Sequence, residues 1–425
     1  MPKLRLDFAL LFGVMLAIGA GNTALQSIVP VIGRSLRVPD WLIAMAFSVS
    51  ALVWVIAAPR WARHSSSTGR KRMVLTGMAG FSVSVLLCAV LLTLGIEGYL
   101  APFLTIAAFI IARAIYGYFG SAAPPAAQAM LAVRTSRDER TKALTLLSSA
   151  FGLGTILGPA AAPFFVLPGV GLAGPAYVFA LIGFLMLLAA WRYLTDDAPN
   201  AEGHGAANSY PSIGGQQTGA AVTAATTERG VLDIRLTDAR IWPWLLPALV
   251  MTHAQAMTGQ AMGFVVIDRL GQGMTLEATQ QLIGVVLMTG AGAALLVQWG
   301  LIPLLELKPR ALMLVGLALA AVGCVINAYA HSLIGTAVGF GLASAGFGFA
   351  RPGYTAGSSL AVGRDLQNAV AGKVTSVNGA AFVIGPSLGV GLYEWWHPLP
   401  YLAAAAMCVG LVGYIWWRRG RASGA

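Results

Sequence analysis

Twelve times in 425 residues the sequence runs apolar for about twenty residues or more, and a chain built that way has the lipid bilayer as its solvent. A spanning helix needs about 20 predominantly apolar residues. Spans are predicted at 8–32, 41–61, 73–95, 101–130, 142–166, 173–194, 241–268, 279–303, 310–330, 333–360, 370–394 and 397–417. Only 10% of the residues are charged, well below the roughly 25% of a soluble domain. The fold class expected is an all-α integral membrane protein, with twelve transmembrane helices in two six-helix bundles. The bundles occupy residues 1–194 and 241–425, joined by a linker at 195–240 where Ala, Gly, Ser, Thr and Gln dominate. Such a stretch buries too little apolar surface to order itself. Within it, Val231-Leu-Asp-Ile-Arg-Leu236 is expected to lie along the membrane surface.

The two halves also repeat. Gly154 through Gly158-Pro159 returns as Gly385-Pro386-Ser387-Leu388-Gly389, and Leu131-Ala-Val133 returns as Leu360-Ala-Val362 at nearly the same offset. A basic stretch precedes each Gly-Pro, at Arg134–Arg140 and at Arg364–Lys373. Pseudo-symmetric halves that enclose a path between them are the sequence signature of a secondary transporter.

Orientation follows from the basic residues, because positive loops stay cytoplasmic. With both termini inside, only Arg34, Arg37 and Arg269 of the 27 Lys and Arg fall outside, and only Arg113 and Arg351 fall within spans. The net charge of +11 is thus explained by topology in a cytoplasmic (inner) membrane, and no concentrated soluble basic patch suggests nucleic acid. Trp41, Trp191, Trp242, Trp244, Trp395, Trp396, Trp416 and Trp417 sit near predicted span ends, at headgroup level, whereas Trp54 and Trp299 do not. Cys88, Cys324 and Cys408 have no partner spacing for a metal or a disulfide. No nucleophile–base pair, metal cluster or phosphate loop points to an enzyme or a cofactor.

Three motifs carry a family resemblance. The loop after span 2 reads Pro59-Arg-Trp-Ala-Arg-His-Ser-Ser-Ser-Thr-Gly-Arg-Lys-Arg-Met73; span 4 contains Arg113-Ala-Ile-Tyr-Gly117; span 5 contains Gly152-Leu-Gly154-Thr-Ile-Leu-Gly158-Pro159. Together they resemble the signatures of the major facilitator superfamily, and the Pro-x-Trp opening and the Gly-x-x-x-Gly-Pro run resemble its twelve-helix drug:proton antiporters. The resemblance implies a monomeric transporter that works by alternating access. Gly69, Arg70 and Lys71 match the loop signature, whose usual Gly and Asp fall on Ala62 and Ser66. In the family that Asp helps latch the inner gate. Gly154, Gly158 and Pro159, with Gly385 and Pro386 in the second half, are read as hinge positions, since small residues admit a close neighbour and Pro removes a backbone donor.

In such an architecture spans 1, 4, 7 and 10 line the path. Their polar and aromatic candidates are Asn22 and Gln26; Arg113 and Tyr116; His253, Met257, Gln260 and Phe264; and Arg351 and Tyr354. No carboxylate is among them, and the acidic residues nearest a span lie at outer ends, at Glu97, Asp268 and Glu394. Two fixed positive charges in a low-dielectric path repel a lipophilic cation. The expected small-molecule substrate is therefore neutral or anionic. Protons are the expected coupling ion, with His253, Asp268 and Arg113 as candidate sites. The expected activity is export of a small amphipathic compound. Proton-coupled uptake of an anionic metabolite by the same fold is the alternative, and a membrane sensor or enzyme is a distant third.

Overall fold

The computed structural model describes residues 2–135, 137–166, 169–196, 234–363 and 366–422. In these, helices follow one another as α1 (Pro2–Ser35), α2 (Asp40–Thr68), α3 (Arg70–Ile96), α4 (Pro102–Ile115, continued by Tyr116–Gly120 and Ala123–Arg134), α5 (Arg137–Ala161, with a 3₁₀ turn at Ala162–Phe165) and α6 (Gly174–Tyr193). The second half repeats the set as α7 (Trp242–Leu270), α8 (Leu276–Leu296, continued by Val297–Leu301 and Ile302–Leu305), α9 (Pro309–Tyr329), α10 (Leu333–Leu360), α11 (Gln367–Trp395) and α12 (Leu399–Ala422). Ten described segments are long and apolar enough by themselves to cross a membrane. The other two rods are α5, whose apolar part is Ser149–Phe165, and α7. Helices are the form open to a lone segment in lipid, because each satisfies its own backbone polar groups.

Local chemistry sets where these helices begin. Pro stands in the first turn of α4, α6, α7 and α9, where its missing N–H costs nothing. The Thr275 and Ser332 hydroxyls cap α8 and α10 by accepting from the Ala278 and Gly335 amides. Gly69, at φ 92°, separates α2 from α3 in a conformation that a side chain would oppose.

The observed bounds differ from the predicted spans in instructive ways. Span 4 is one rod in three pieces, with a π-turn at Tyr116–Gly120 just before Pro124-Pro125, and span 8 has its own π-turn at Val297–Leu301 just before Pro303. None of these three prolines can donate to the preceding turn, and a π-turn re-routes the freed carbonyls. Most of the linker at 195–240 lies outside the described residues. Of the strip Val231–Leu236, residues 231–233 lie outside the described residues, Ile234 is buried in the core of the C-terminal bundle, and Arg235 and Leu236 are exposed.

Packing repeats with the sequence. Within the first half α1 packs on α5 and α6, α3 on α4 and α6, and α2 on α4; within the second, α7 packs on α11 and α12, α9 on α10 and α12, and α8 on α10. Across the halves α2 meets α11 and α5 meets α8, so these two contacts exchange under the same pseudo-two-fold. The glycines of the repeat lie at these seams. A Cβ on Gly154 would come 2.4 Å from the Leu16 carbonyl oxygen, and one on Gly158 would come 2.2 Å from that of Ala20, both on α1. Its counterpart Gly385 packs on Ala256 of α7, and Gly389, one turn further on, presses on Met257. Pro159 also faces the other bundle, where a Cβ on Gly284 of α8 would meet its carbonyl oxygen at 2.7 Å. Ser387, beside Pro386, hydrogen-bonds Ser48 of α2 at 2.8 Å.

A matched pair of substitutions tests this packing. Gly158→Ala should destabilise the detergent-solubilised protein by about 1–3 kcal/mol through overpacking, whereas Gly292→Ala in α8, where a Cβ meets open space, should be neutral or stabilising by up to ~1 kcal/mol. Thermal unfolding of both variants beside the parent provides the check.

Candidate functional site

Arg113 is a buried charge inside the first bundle. It is 2% exposed, on the last turn of α4 before the π-turn, and its guanidinium lies 5.1 Å from the centre of the Phe47 ring and 4.8 Å from that of Tyr116. Tyr116 in turn packs against Trp54 and Phe81 at 5.3 and 5.9 Å. Gly117 lets α4 approach this closely, since a Cβ there would come 2.4 Å from the Ser50 carbonyl oxygen of α2. One guanidinium nitrogen, Nη2, donates to Asn22 Oδ1 at 2.7 Å. Among the described residues Nε and Nη1 have no hydrogen-bond partner, and neither has the Tyr116 hydroxyl. An arginine at such a depth costs at least ~2.5–3.5 kcal/mol. A single neutral amide and two ring faces offset only part of that, so the site keeps a net positive charge and spare donors.

The second bundle holds its arginine differently. Arg351 on α10 lies beside Tyr354, whose hydroxyl donates to Asn378 Oδ1 of α11 at 2.8 Å. Thr252 of α7 reaches the same Oδ1 at 3.2 Å. His253, next along α7, donates from Nδ1 to the Leu249 carbonyl oxygen at 2.8 Å. Asn22 and Arg113 are thus brought together, as are Arg351 and Tyr354, each pair within its own bundle. Between the bundles α1 and α7 meet, with Gly263 against Pro30. On these facing helices the buried Gln26 has an unpartnered Nε2 donor and the buried Gln260 an unpartnered Oε1 acceptor. Met257 is fully buried against α11 and Phe264 sits below the Arg34 guanidinium at 5.9 Å, so these two belong to the closed contact between helices.

That contact is a seal at one end of the molecule. Arg34, at the end of α1, makes a two-nitrogen ion pair with Asp40 at the start of α2, and its Nη2 lies 3.0 Å from Asp268 Oδ2 at the end of α7. The Tyr393 hydroxyl of α11 donates to the same Asp268 oxygen at 2.9 Å, and His397 Nε2 stands 3.9 Å from it. Glu394 accepts from the Asp40 and Trp41 amides. Arg34, Asp40, Tyr393, Glu394 and His397 line an open depression of about 400 Å³. Arg34 and Asp40 come from one bundle and Asp268, Tyr393 and Glu394 from the other. Hydrogen bonds to charged groups contribute about 1.5–3 kcal/mol each, so loss of the Arg34–Asp268 link alone would shift an open/closed ratio by roughly 10- to 100-fold.

Sequence reasoning found Asp268 but treated Arg34 as a loop charge and did not single out Asp40 or Tyr393. The available signal was a small mixed-charge set at one end of spans 1, 2, 7 and 11, where charge is otherwise scarce. At the opposite end Trp61, from the Pro-x-Trp opening, donates to the Tyr118 carbonyl at 2.6 Å and ties the end of α2 to α4. Arg134 pairs with Asp7 at 2.6 Å and bonds the Thr195 carbonyl, joining α4, α1 and the chain beyond α6. Arg70 is buried and Lys71 partly buried, while the Ser66 side chain lies outside the described residues.

The model of the Major Facilitator Superfamily matches residues 11–372. The chain belongs to that superfamily. It is a membrane transporter with the superfamily fold, not an enzyme. Among curated relatives it is 27% identical over 194 residues to Multidrug resistance protein 2 of Bacillus subtilis, a match covering 46% of this chain and 44% of the relative. It is 34% identical over 93 residues to a protein of Arabidopsis thaliana named "Probable anion transporter 4, chloroplastic", covering 22% of this chain and 17% of that one. The matches therefore span less than half the length of these relatives. The structure aligns over 98% of this chain and all of the human organic anion transporter MFSD10, with a TM-score of 0.62 at 16% identity, which speaks to fold alone.

Arg113 generates a clear expectation for this superfamily member. Arg113→Ala should insert at normal levels yet lose transport by at least tenfold, and Arg113→Lys should recover only part of it, since Lys keeps the charge but not the planar fork. Transport in proteoliposomes, normalised to folded protein, measures both.

Proposed function

We propose that the protein exports a small amphipathic compound, neutral or anionic, across the cytoplasmic membrane by alternating access, coupled to protons. The observation that carries the substrate class is Arg113: a buried guanidinium with two unpartnered nitrogens and an amide as its polar partner suits an acceptor-rich or anionic group and repels a fixed cation. In the sealed conformer these atoms are closed off, so a substrate reaches them when the lining moves. Arg351, Tyr354, His253 and the spare amide groups of Gln26 and Gln260 would complete a path of cationic and neutral polar groups. Positive-inside placement of the loops puts both termini and the 195–240 linker in the cytoplasm, and the Arg34–Asp268 seal on the outer face. The multidrug-resistance name of one relative and the Gly-x-x-x-Gly-Pro run support export.

For coupling we favour Asp268. Its carboxylate lies in the seal between bundles, faced by Arg34 from α1, Asp40 from α2, Tyr393 and Glu394 from α11 and His397 beyond it, while Arg269 beside it is occupied by the Asn327, Ala328 and Ala330 carbonyls. Protonation would remove the charge that Arg34 holds across the seal. Uptake of an anion on the same fold is the competing reading, favoured by a protonated His253 adding positive charge to the path.

Inverted vesicles decide between these readings. Export predicts that they accumulate a weak organic acid or a neutral drug when energised, and that a quaternary ammonium dye is not carried. Asp268→Asn should flatten the pH dependence of transport and His253→Gln should preserve it. Robust transport of the dye alone would overturn the substrate class, and accumulation by right-side-out vesicles would overturn the direction.

A further inference from the structure

A second charged concavity lies apart from the path and the seal. It measures 210 Å³ and is lined by Arg240, Trp244, Arg310, Met313, Tyr414 and Arg418. These residues come from the start of α7, the start of α9 and the end of α12, three chain ends at one level of the second bundle. Arg310 stacks 6.0 Å from the Trp244 ring centre, and Arg418 lies 6.0 Å from the Tyr414 ring centre while donating to its hydroxyl at 3.2 Å. Arg240 is held by Asp238 through two nitrogens at 3.0 and 2.9 Å, which neutralises it. Among the described residues no carboxylate pairs with Arg310 or Arg418, and these two guanidinium groups give the concavity its positive charge. The α9 helix begins here with no side-chain cap, so the positive end of its dipole points to the same side.

We propose that this concavity binds the phosphodiester headgroup of an anionic phospholipid. Two cationic forks spaced around a half-enclosed volume match a phosphate and its ester oxygens. The floor and walls are apolar or aromatic, with Met313 2% exposed and the Trp244 ring seated over Gly357, where a Cβ would collide with it. Exposed Trp416 and Trp417 flank the site on α12, and rings of this kind mark headgroup depth. That depth favours a lipid over a soluble anion. Basic pockets between transmembrane helices on the cytoplasmic side are suited to anionic headgroups, and the loop charges put this end on that side. The proposal stands independently of the transport substrate and direction.

The test is native mass spectrometry of the full-length protein extracted from vesicles of equal phosphatidylglycerol and phosphatidylcholine. The parent should retain one phosphatidylglycerol in preference to phosphatidylcholine. Arg310→Gln with Arg418→Gln should weaken that retention on the order of thirtyfold, as two lost surface charges imply, while the corresponding Lys pair should keep most of it. Arg418→Gln alone, at an exposed end of α12, should show an intermediate loss and serves if the double variant does not fold. Millimolar inorganic phosphate should leave the lipid in place. Equal retention of both lipids, retention indifferent to these substitutions, or displacement by inorganic phosphate at that concentration would each overturn the proposal, the last by pointing to a soluble anion.

Discussion

The conformation depends on one guanidinium shared between bundles. Arg34 holds Asp40 on its own bundle and Asp268 on the other, and with Tyr393 and Glu394 it fastens the ends of α1, α2, α7 and α11. Apolar packing in a bilayer gives two bundles little preference for one tilt over another, because lipid tails are as apolar as the side chains. A directional, charge-based contact does discriminate. A link of a few kcal/mol can set which end is shut and can still be broken by a change of protonation or by a bound substrate, which is the energetic range that alternating access requires.

Small residues give that contact its leverage. Gly154, Gly158, Gly385 and Gly389 bring α5 onto α1 and α11 onto α7 at backbone distance, and Pro159 and Ser387, just beyond them, touch the opposite bundle. Each six-helix unit is thus close-packed along the helices that also form the contact between units. In the proposed cycle the units tilt as rigid bodies about these seams. Arg113 rides inside the first unit, screened by Phe47, Tyr116 and Asn22 and left with open donors.

Much of this was legible from residues alone, because lipid imposes strict demands. Apolar runs of sufficient length gave twelve rods, and the repeated Gly-Pro gave the pseudo-symmetry. The motifs at Arg113 and Gly158 gave the family. The π-turn at Tyr116–Gly120 was not read, although Pro124-Pro125 carries the signal, because proline in a span predicts a defect without its form. The burial of Ile234 was not legible either, since a short strip gives no indication of which apolar neighbour will cover it. The seal was missed because ion pairs between residues some 230 positions apart, such as Arg34 and Asp268, depend on tertiary geometry that spacing does not encode. Likewise, the pairing of Arg113 with Asn22, ninety-one positions away, could be suspected only from their shared place along the path.

The seal can be measured directly by pulsed electron resonance between spin labels at Ser35→Cys and Gln272→Cys, exposed positions on the two bundles at the sealed end. The native cysteines Cys88, Cys324 and Cys408 are buried and should not compete for label. The account predicts a dominant short separation in the parent, and a tenfold or greater gain in a longer one when Arg34→Ala or Asp268→Asn removes the link. A distance distribution that neither substitution alters would contradict it.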